Sequence, residues 1–283
     1  MKKFINKIEN IVPEMLEGMA LCYPNKIKKI DNYNVIVTQK ISPNKIALIS
    51  GGGSGHEPSH GGFVGDGMLD AAVAGEIFTS PTPDQIYRAI EEVAAKSKKA
   101  FLIVKNYTGD CLNFEMAMEM AKNNGIECDM AIVNDDIALE NSLYTVGKRG
   151  IAGTIFVHKI LGAYTKEENS LVKIKELSEK IIPNIASMGI SLDACIVPAN
   201  GKKGFVLNED EIELGLGIHG EPGIERTKLK DANYHTKQLM DRLIEHLKLN
   251  VNDEVALMIN GLGGTPLMEL NIIARYAILM LKN

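Results

Sequence analysis

Short apolar runs alternate along this chain with longer segments whose apolar residues recur every three or four positions. The runs at 35–37, 46–49, 101–104 and 128–133 read as buried strands. Between them, Pro83-Asp84-Gln85 opens a helix to about Lys96, with Ile86, Ile90 and Val93 on one face. A second helix is predicted over 112–124, closed by Asn124-Gly125. Two more follow, over about 150–164 and 170–188. A β-α-β series of this kind predicts a mostly parallel sheet covered by helices. Past Pro183 the pattern changes. Runs at 194–197 and 254–259 read as strands, and 211–217 alternates polar and apolar residues as a half-exposed strand does. The expected division is a first α/β domain over 1–183 and a second over 184–283.

Composition narrows the class. The chain has 283 residues, 45% hydrophobic and 24% charged, with a net charge of −5. That length suits two domains, and that charge favours neither nucleic acid nor an anionic membrane. No apolar run reaches the length of a membrane span, and the N-terminus reads as an amphipathic helix, not a signal peptide. Cys22, Cys111, Cys128 and Cys195 lack metal or disulfide spacing, so free thiols in a reducing cytoplasm are expected. His56 and His60 stand at H-x-x-x-H spacing, but in a glycine- and proline-containing loop and not on a helix face, and no G-x-x-x-x-G-K-[ST] occurs. No metal and no nucleotide cradle are therefore expected on this chain.

Three glycine-containing loops follow strands and carry titratable groups. Gly51-Gly52-Gly53-Ser54-Gly55-His56-Glu57-Pro58 combines a predicted sharp glycine turn with an imidazole beside a carboxylate. The same octapeptide also suits a structural turn with a surface histidine. Lys105-Asn106-Tyr107-Thr108-Gly109-Asp110 sets a lysine and a carboxylate at a strand end, where Asp110 suits either a base or the N-cap of the following helix. Gly217-Ile218-His219-Gly220-Glu221-Pro222-Gly223 repeats the glycine, histidine, glutamate and proline of the first loop. His60 fits a supporting position behind that first loop. His158, His235 and His246 sit in helical patterns as core or solvent residues.

Taken with Gly75-Glu76-Ile77-Phe78-Thr79-Ser80-Pro81-Thr82-Pro83-Asp84 and Ser142-Leu143-Tyr144-Thr145-Val146-Gly147-Lys148-Arg149-Gly150, these loops resemble the substrate-binding K domain of the dihydroxyacetone kinase family. The resemblance runs from Met1 through Thr265-Pro266. It implies an α/β/α parallel-sheet domain followed by a second α/β domain with a mixed sheet. It implies that His219 anchors dihydroxyacetone as a hemiaminal, that His56 is an acid/base or orienting group, and that Asp110 accepts the hydroxyl proton. Gly53 and its neighbours Ser54 and Gly55, together with Lys105, are the matching substrate contacts. No room remains for a nucleotide-binding L domain, so the resemblance implies a separate L subunit carrying ADP or ATP with magnesium, recharged by the phosphoenolpyruvate phosphotransferase system. It also implies a cytoplasmic homodimer. Family chains continue beyond the helix near 267–282, so a shortened second sheet is expected here. A non-catalytic ketone sensor that signals to a transcription factor is the alternative reading. A lipid-binding protein of similar architecture would leave His219 and the Lys105–Asp110 loop without purpose.

Overall fold

A computed structural model describes residues 2–140, 147–221 and 223–282. Its strands are β1 (Ile27–Lys29), β2 (Val35–Thr38), β3 (Ala47–Ser54), β4 (Ala71–Ile77), β5 (Lys99–Lys105), β6 (Glu127–Val133), β7 (Ile190–Ser191), β8 (Glu211–Leu214) and β9 (Glu225–Lys228). Its α-helices are α1 (Ile11–Cys22), α2 (Pro83–Val93), α3 (Thr108–Asn123), α4 (Thr154–Tyr164), α5 (Leu171–Ile181), α6 (Ala232–Leu247) and α7 (Leu267–Lys282).

The first sheet has the order β1-β2-β4-β3-β5-β6. Strands β4, β3, β5 and β6 are parallel, while β1 and β2 add antiparallel pairs at one edge. Side chains alternate across this sheet, so each strand feeds two cores. On β5, Leu102 and Val104 pack with Ile86, Ile90 and Phe114 of α2 and α3. Phe101 and Ile103 point the other way, to Leu16, Val157, Leu161 and Ile174 of α1, α4 and α5. The result is the expected α/β/α layering. The described second sheet, β7-β8-β9, is antiparallel throughout. Among the described residues, the sheet that combines parallel and antiparallel pairs is the first one.

Several local expectations change. Gly51, Gly52 and Gly53 do not form a turn but extend β3, and the chain turns only from Gly55 onward. Packing explains this: Gly53 pairs with Gly75 of β4, and a Cβ on Gly53 would lie 2.6 Å from the Thr79 backbone nitrogen. The glycines serve close strand packing. Helix α3 starts at Thr108, so Asp110 lies in its first turn and Tyr107 occupies the cap. Helix α4 starts at Thr154, not near 150, because the Asp135 carboxylate accepts the backbone N–H groups of Ile151 and Gly153 at 2.7 and 2.8 Å. Helix α5 gives way to a short 3₁₀ turn at Ile182–Asn184, where Pro183 removes a donor. Ile196 makes only an isolated bridge to Lys203, and 254–259 joins no ladder among the described residues. A strand needs a pairing partner, which an apolar run in sequence does not reveal.

Candidate active site

Three strand ends converge. The loop after β3 carries His56, the junction of β5 and α3 carries Lys105, Tyr107 and Asp110, and the loop after β8 carries His219. The His56 ring stacks on Phe78 at 5.0 Å between centroids and meets the His219 ring edge-on at 4.9 Å. Tyr107 meets His219 edge-on at 4.6 Å. The sequence-selected histidines 56 and 219, far apart in the chain, are therefore neighbours. His219 lines an open cleft of about 710 Å³, together with Phe78, Ser80, Tyr107, Glu221 and Arg226 among others.

Burial sets the protonation states. His56 is pushed down to about 2, first by burial and then by the positive charge of Lys105 and by His219. It is a neutral imidazole at physiological pH, able to donate one hydrogen bond and accept another. Its Nε2 is buried with no hydrogen-bond partner among the described residues. Burial holds Asp110 above the usual carboxylate range, although Lys105, a hydrogen bond from Ser80 and His219 pull it back. Burial likewise lowers Lys105, while Asp110 and other carboxylates oppose the shift. A raised carboxylate beside a lowered lysine makes this buried cluster a candidate functional site. The two groups are close to one backbone position: a Cβ on Gly52 would sit 3.5 Å from Lys105 Nζ and 3.7 Å from Asp110 Oδ2.

Glu221 fixes the third loop. One carboxylate oxygen accepts the His219 backbone N–H at 3.0 Å, and the other faces ring Nδ1 at 3.1 Å. Burial pushes the Glu221 carboxyl up, but the hydrogen bonds and charge of His219 outweigh it and leave it below its ordinary value. A carboxylate on Nδ1 holds the proton there and leaves Nε2 with a free lone pair. Glu221, Tyr107 and Phe78 lie within the sequence motifs, which assign them no role. The histidine–glutamate spacing of two residues was the available signal for Glu221.

Other site residues stand further back. Ser54 is buried and its hydroxyl donates to the Gly75 carbonyl at 2.7 Å, so it fastens β3 to β4. Gly53 is buried within β3, and Gly55 follows it at positive φ against the Phe78 ring. His60 and His158 form a buried pair, Nδ1 to Nε2, at 3.0 Å. Within the motif at 142–150, residues 142–146 lie outside the described residues, as does Pro222. Among the described residues, no group of three or more His, Cys, Asp or Glu side chains could hold a metal ion, and no helix is long and apolar enough to cross a membrane.

Three strand-end loops of an α/β fold thus bring two imidazoles and a buried carboxylate together as one candidate site. Residues 17–283 match the Dak1 domain, and the chain belongs to that family, the dihydroxyacetone kinases. It is 50% identical over 268 residues to the PTS-dependent dihydroxyacetone kinase, dihydroxyacetone-binding subunit DhaK of Lactococcus lactis, covering 95% of this chain and 80% of that one. The fold matches the dihydroxyacetone kinase of C. freundii in complex with AMP-PNP and Mg²⁺ at a TM-score of 0.88 and 36% identity, over 97% of this chain and 51% of that one. It matches the dihydroxyacetone kinase operon co-activator Dha-DhaQ at a TM-score of 0.89 and 36% identity, over 96% and 83%.

Proposed function

We propose that this chain is the dihydroxyacetone-binding subunit of a phosphotransferase-dependent dihydroxyacetone kinase, and that it holds the ketone covalently on His219. The observation that carries this reading is the Glu221 carboxylate on His219 Nδ1, which leaves Nε2 as the nucleophile on a residue that lines the cleft. Nε2 attacks the ketone carbon, a C–N bond forms, and the carbonyl π pair moves to oxygen. The ring gives up its Nδ1 hydrogen and the oxygen gains one, so the proton count is unchanged. Neutral His56 orients the ketone-derived oxygen or a hydroxyl. A hemiaminal selects ketones and aldehydes over glycerol, which has no carbonyl.

The same attachment fixes a terminal hydroxyl for phosphoryl transfer. Transfer asks the protein chiefly to place that hydroxyl in line and to accept its proton, and Asp110 is the acceptor. Lys105 and the backbone around Gly53 hold the remaining hydroxyl. Such pinning is worth an effective molarity of up to about 10⁵ M or more in ideal systems. The phosphoryl donor is a nucleotide with magnesium on a separate L subunit, a reading supported by the likeness to a PTS-dependent dihydroxyacetone-binding subunit. Two copies of this chain pair in the cytoplasm, and 1–183 and 184–283 are its two domains.

The likeness to an operon co-activator supports a second reading, a ketone sensor of the same fold. A sensor needs the anchor but no base, so Asp110 together with His56 and His219 favours the kinase. The test is a coupled assay of dihydroxyacetone phosphorylation. Activity that needs both this chain and a nucleotide-loaded L subunit supports the kinase. Ketone binding with a silent complemented assay supports the sensor.

A further inference from the structure

The Arg149 guanidinium is fully buried, with no exposed side-chain surface. Its Nε donates to Asp136 Oδ2 at 2.7 Å and its Nη2 lies 2.6 Å from the same oxygen. Nη2 also donates to the Gly215 carbonyl at 2.8 Å. Gly215 directly follows β8 and stands just ahead of His219. Arg149 precedes α4 in the first part of the chain. One rigid side chain thus ties the loop of His219 to the first sheet.

The contact continues beyond Gly215. The Cα of Gly217 is wedged between Arg149 and Glu221: a Cβ there would lie 2.5 Å from Nη1 and would collide with Glu221 Oε2. Asp136 is itself held, since its Oδ1 accepts the Ala138 N–H at 2.9 Å and its backbone N–H donates to the Arg149 carbonyl at 3.0 Å. The neighbouring Ile137 N–H donates to the Ser187 carbonyl at 3.0 Å. The chain of contacts runs Asp136, Arg149, Gly215 and Gly217, Glu221, His219. Every link in it is buried or half-buried.

We propose that Arg149 is a positioning residue for His219: through Gly215 and Gly217 its guanidinium holds Glu221 on ring Nδ1 and so keeps Nε2 free. A guanidinium fills this place because its planar fork puts Nε and Nη2 together on Asp136 Oδ2 while Nη2 also reaches the Gly215 carbonyl at a fixed angle. A lysine would keep the charge against Asp136 but would lose one of the two directions. Arg149 contributes nothing to the hemiaminal directly, and the proposal rests on His219 being the attachment point only in its second readout.

The test compares wild type, Arg149→Lys, and Arg149→Leu/Asp136→Asn, which removes the buried pair without stranding a charge. The first readout needs no ligand: nitrogen-15 NMR of the His219 ring. Wild type should show the Nδ1–H tautomer, and the variants a mixture of tautomers at an unchanged fold. The second is dihydroxyacetone affinity, expected to weaken on the order of 10-fold to 100-fold, the scale of a small misplacement at a reacting centre. A folded variant with the wild-type tautomer and wild-type affinity would overturn the proposal. If neither variant folds, the Arg149 guanidinium N–H signals of wild type decide, since they must shift when dihydroxyacetone is added and would stay put for a purely structural arginine. Failure of wild type to form an adduct while the tautomer result holds would reject the hemiaminal and leave the positioning role standing.

Discussion

Glu221 grips His219 twice, by its backbone N–H at 3.0 Å and by ring Nδ1 at 3.1 Å. The carboxylate thus sets both where the ring lies and which nitrogen carries the proton. Glu221→Gln keeps an acceptor oxygen for the Nδ1–H but removes its negative charge. A charged hydrogen bond exceeds a neutral one by about 1 kcal/mol or more, so the ketone should bind about tenfold more weakly. Calorimetric titration with dihydroxyacetone checks this, and unchanged affinity would release Glu221 from the role.

Asp110→Asn should keep ketone binding and lose phosphorylation by roughly 10²-fold or more, the usual scale for a general base. The base works only when ionised. Because burial raises its pKa, wild-type turnover should fall with acid at a pH above the ordinary carboxylate range. A pH–rate profile with the L subunit present measures that limb. Equal loss of binding and turnover in the variant would make Asp110 a positioning group instead.

Buried histidines should make stability steeply pH-dependent. His56 and His158 are pushed down to about 2 and about 3, each chiefly by burial, and His60 also falls well below 6.5. Their unfolded pKa stays near 6.5, so below that pH the unfolded chain binds protons that the native state refuses. Their contribution is fully present above about pH 6.5 and is lost progressively as pH falls toward 3. Each such proton contributes a slope of ~1.4 kcal/mol per pH unit. Denaturant unfolding between pH 6.5 and 4 should therefore show a slope approaching three protons, and His158→Gln should remove about one. An unchanged slope in the variant would show that His158 charges in the native state.

Gly53→Ala should destabilise the protein by about 1–3 kcal/mol, because its methyl would meet backbone atoms of Phe78 and Thr79 that cannot swing aside. Phe78 stacks on His56, so ketone affinity should fall as well. Thermal unfolding and titration of the same variant measure the two effects. A neutral substitution would mean that the β3–β4 contact is loose.

The sequence exposed some of this and hid the rest for physical reasons. Strands such as β5 were legible because both faces are buried, which makes a continuous apolar run. The chemistry-bearing loops were legible because glycine, histidine and carboxylate crowd together at strand ends. Gly51, Gly52 and Gly53 misled because glycine marks close packing as well as turns, and only the Thr79 backbone distinguishes the two. Run 254–259 misled because pairing is a property of two segments. The Arg149–Asp136 pair was invisible because its worth lies in contacts with Gly215, a residue distant in the chain.

The central claim is the covalent attachment of the ketone to His219. The direct measurement is NMR of the protein with dihydroxyacetone labelled with carbon-13 at the carbonyl and with nitrogen-15 in histidine. The account expects the bound carbon to leave the carbonyl region for the tetrahedral region and to couple to His219 Nε2, with both signals absent in His219→Ala at an unchanged fold. A bound ligand that keeps its carbonyl signal, or couples to His56, would contradict it.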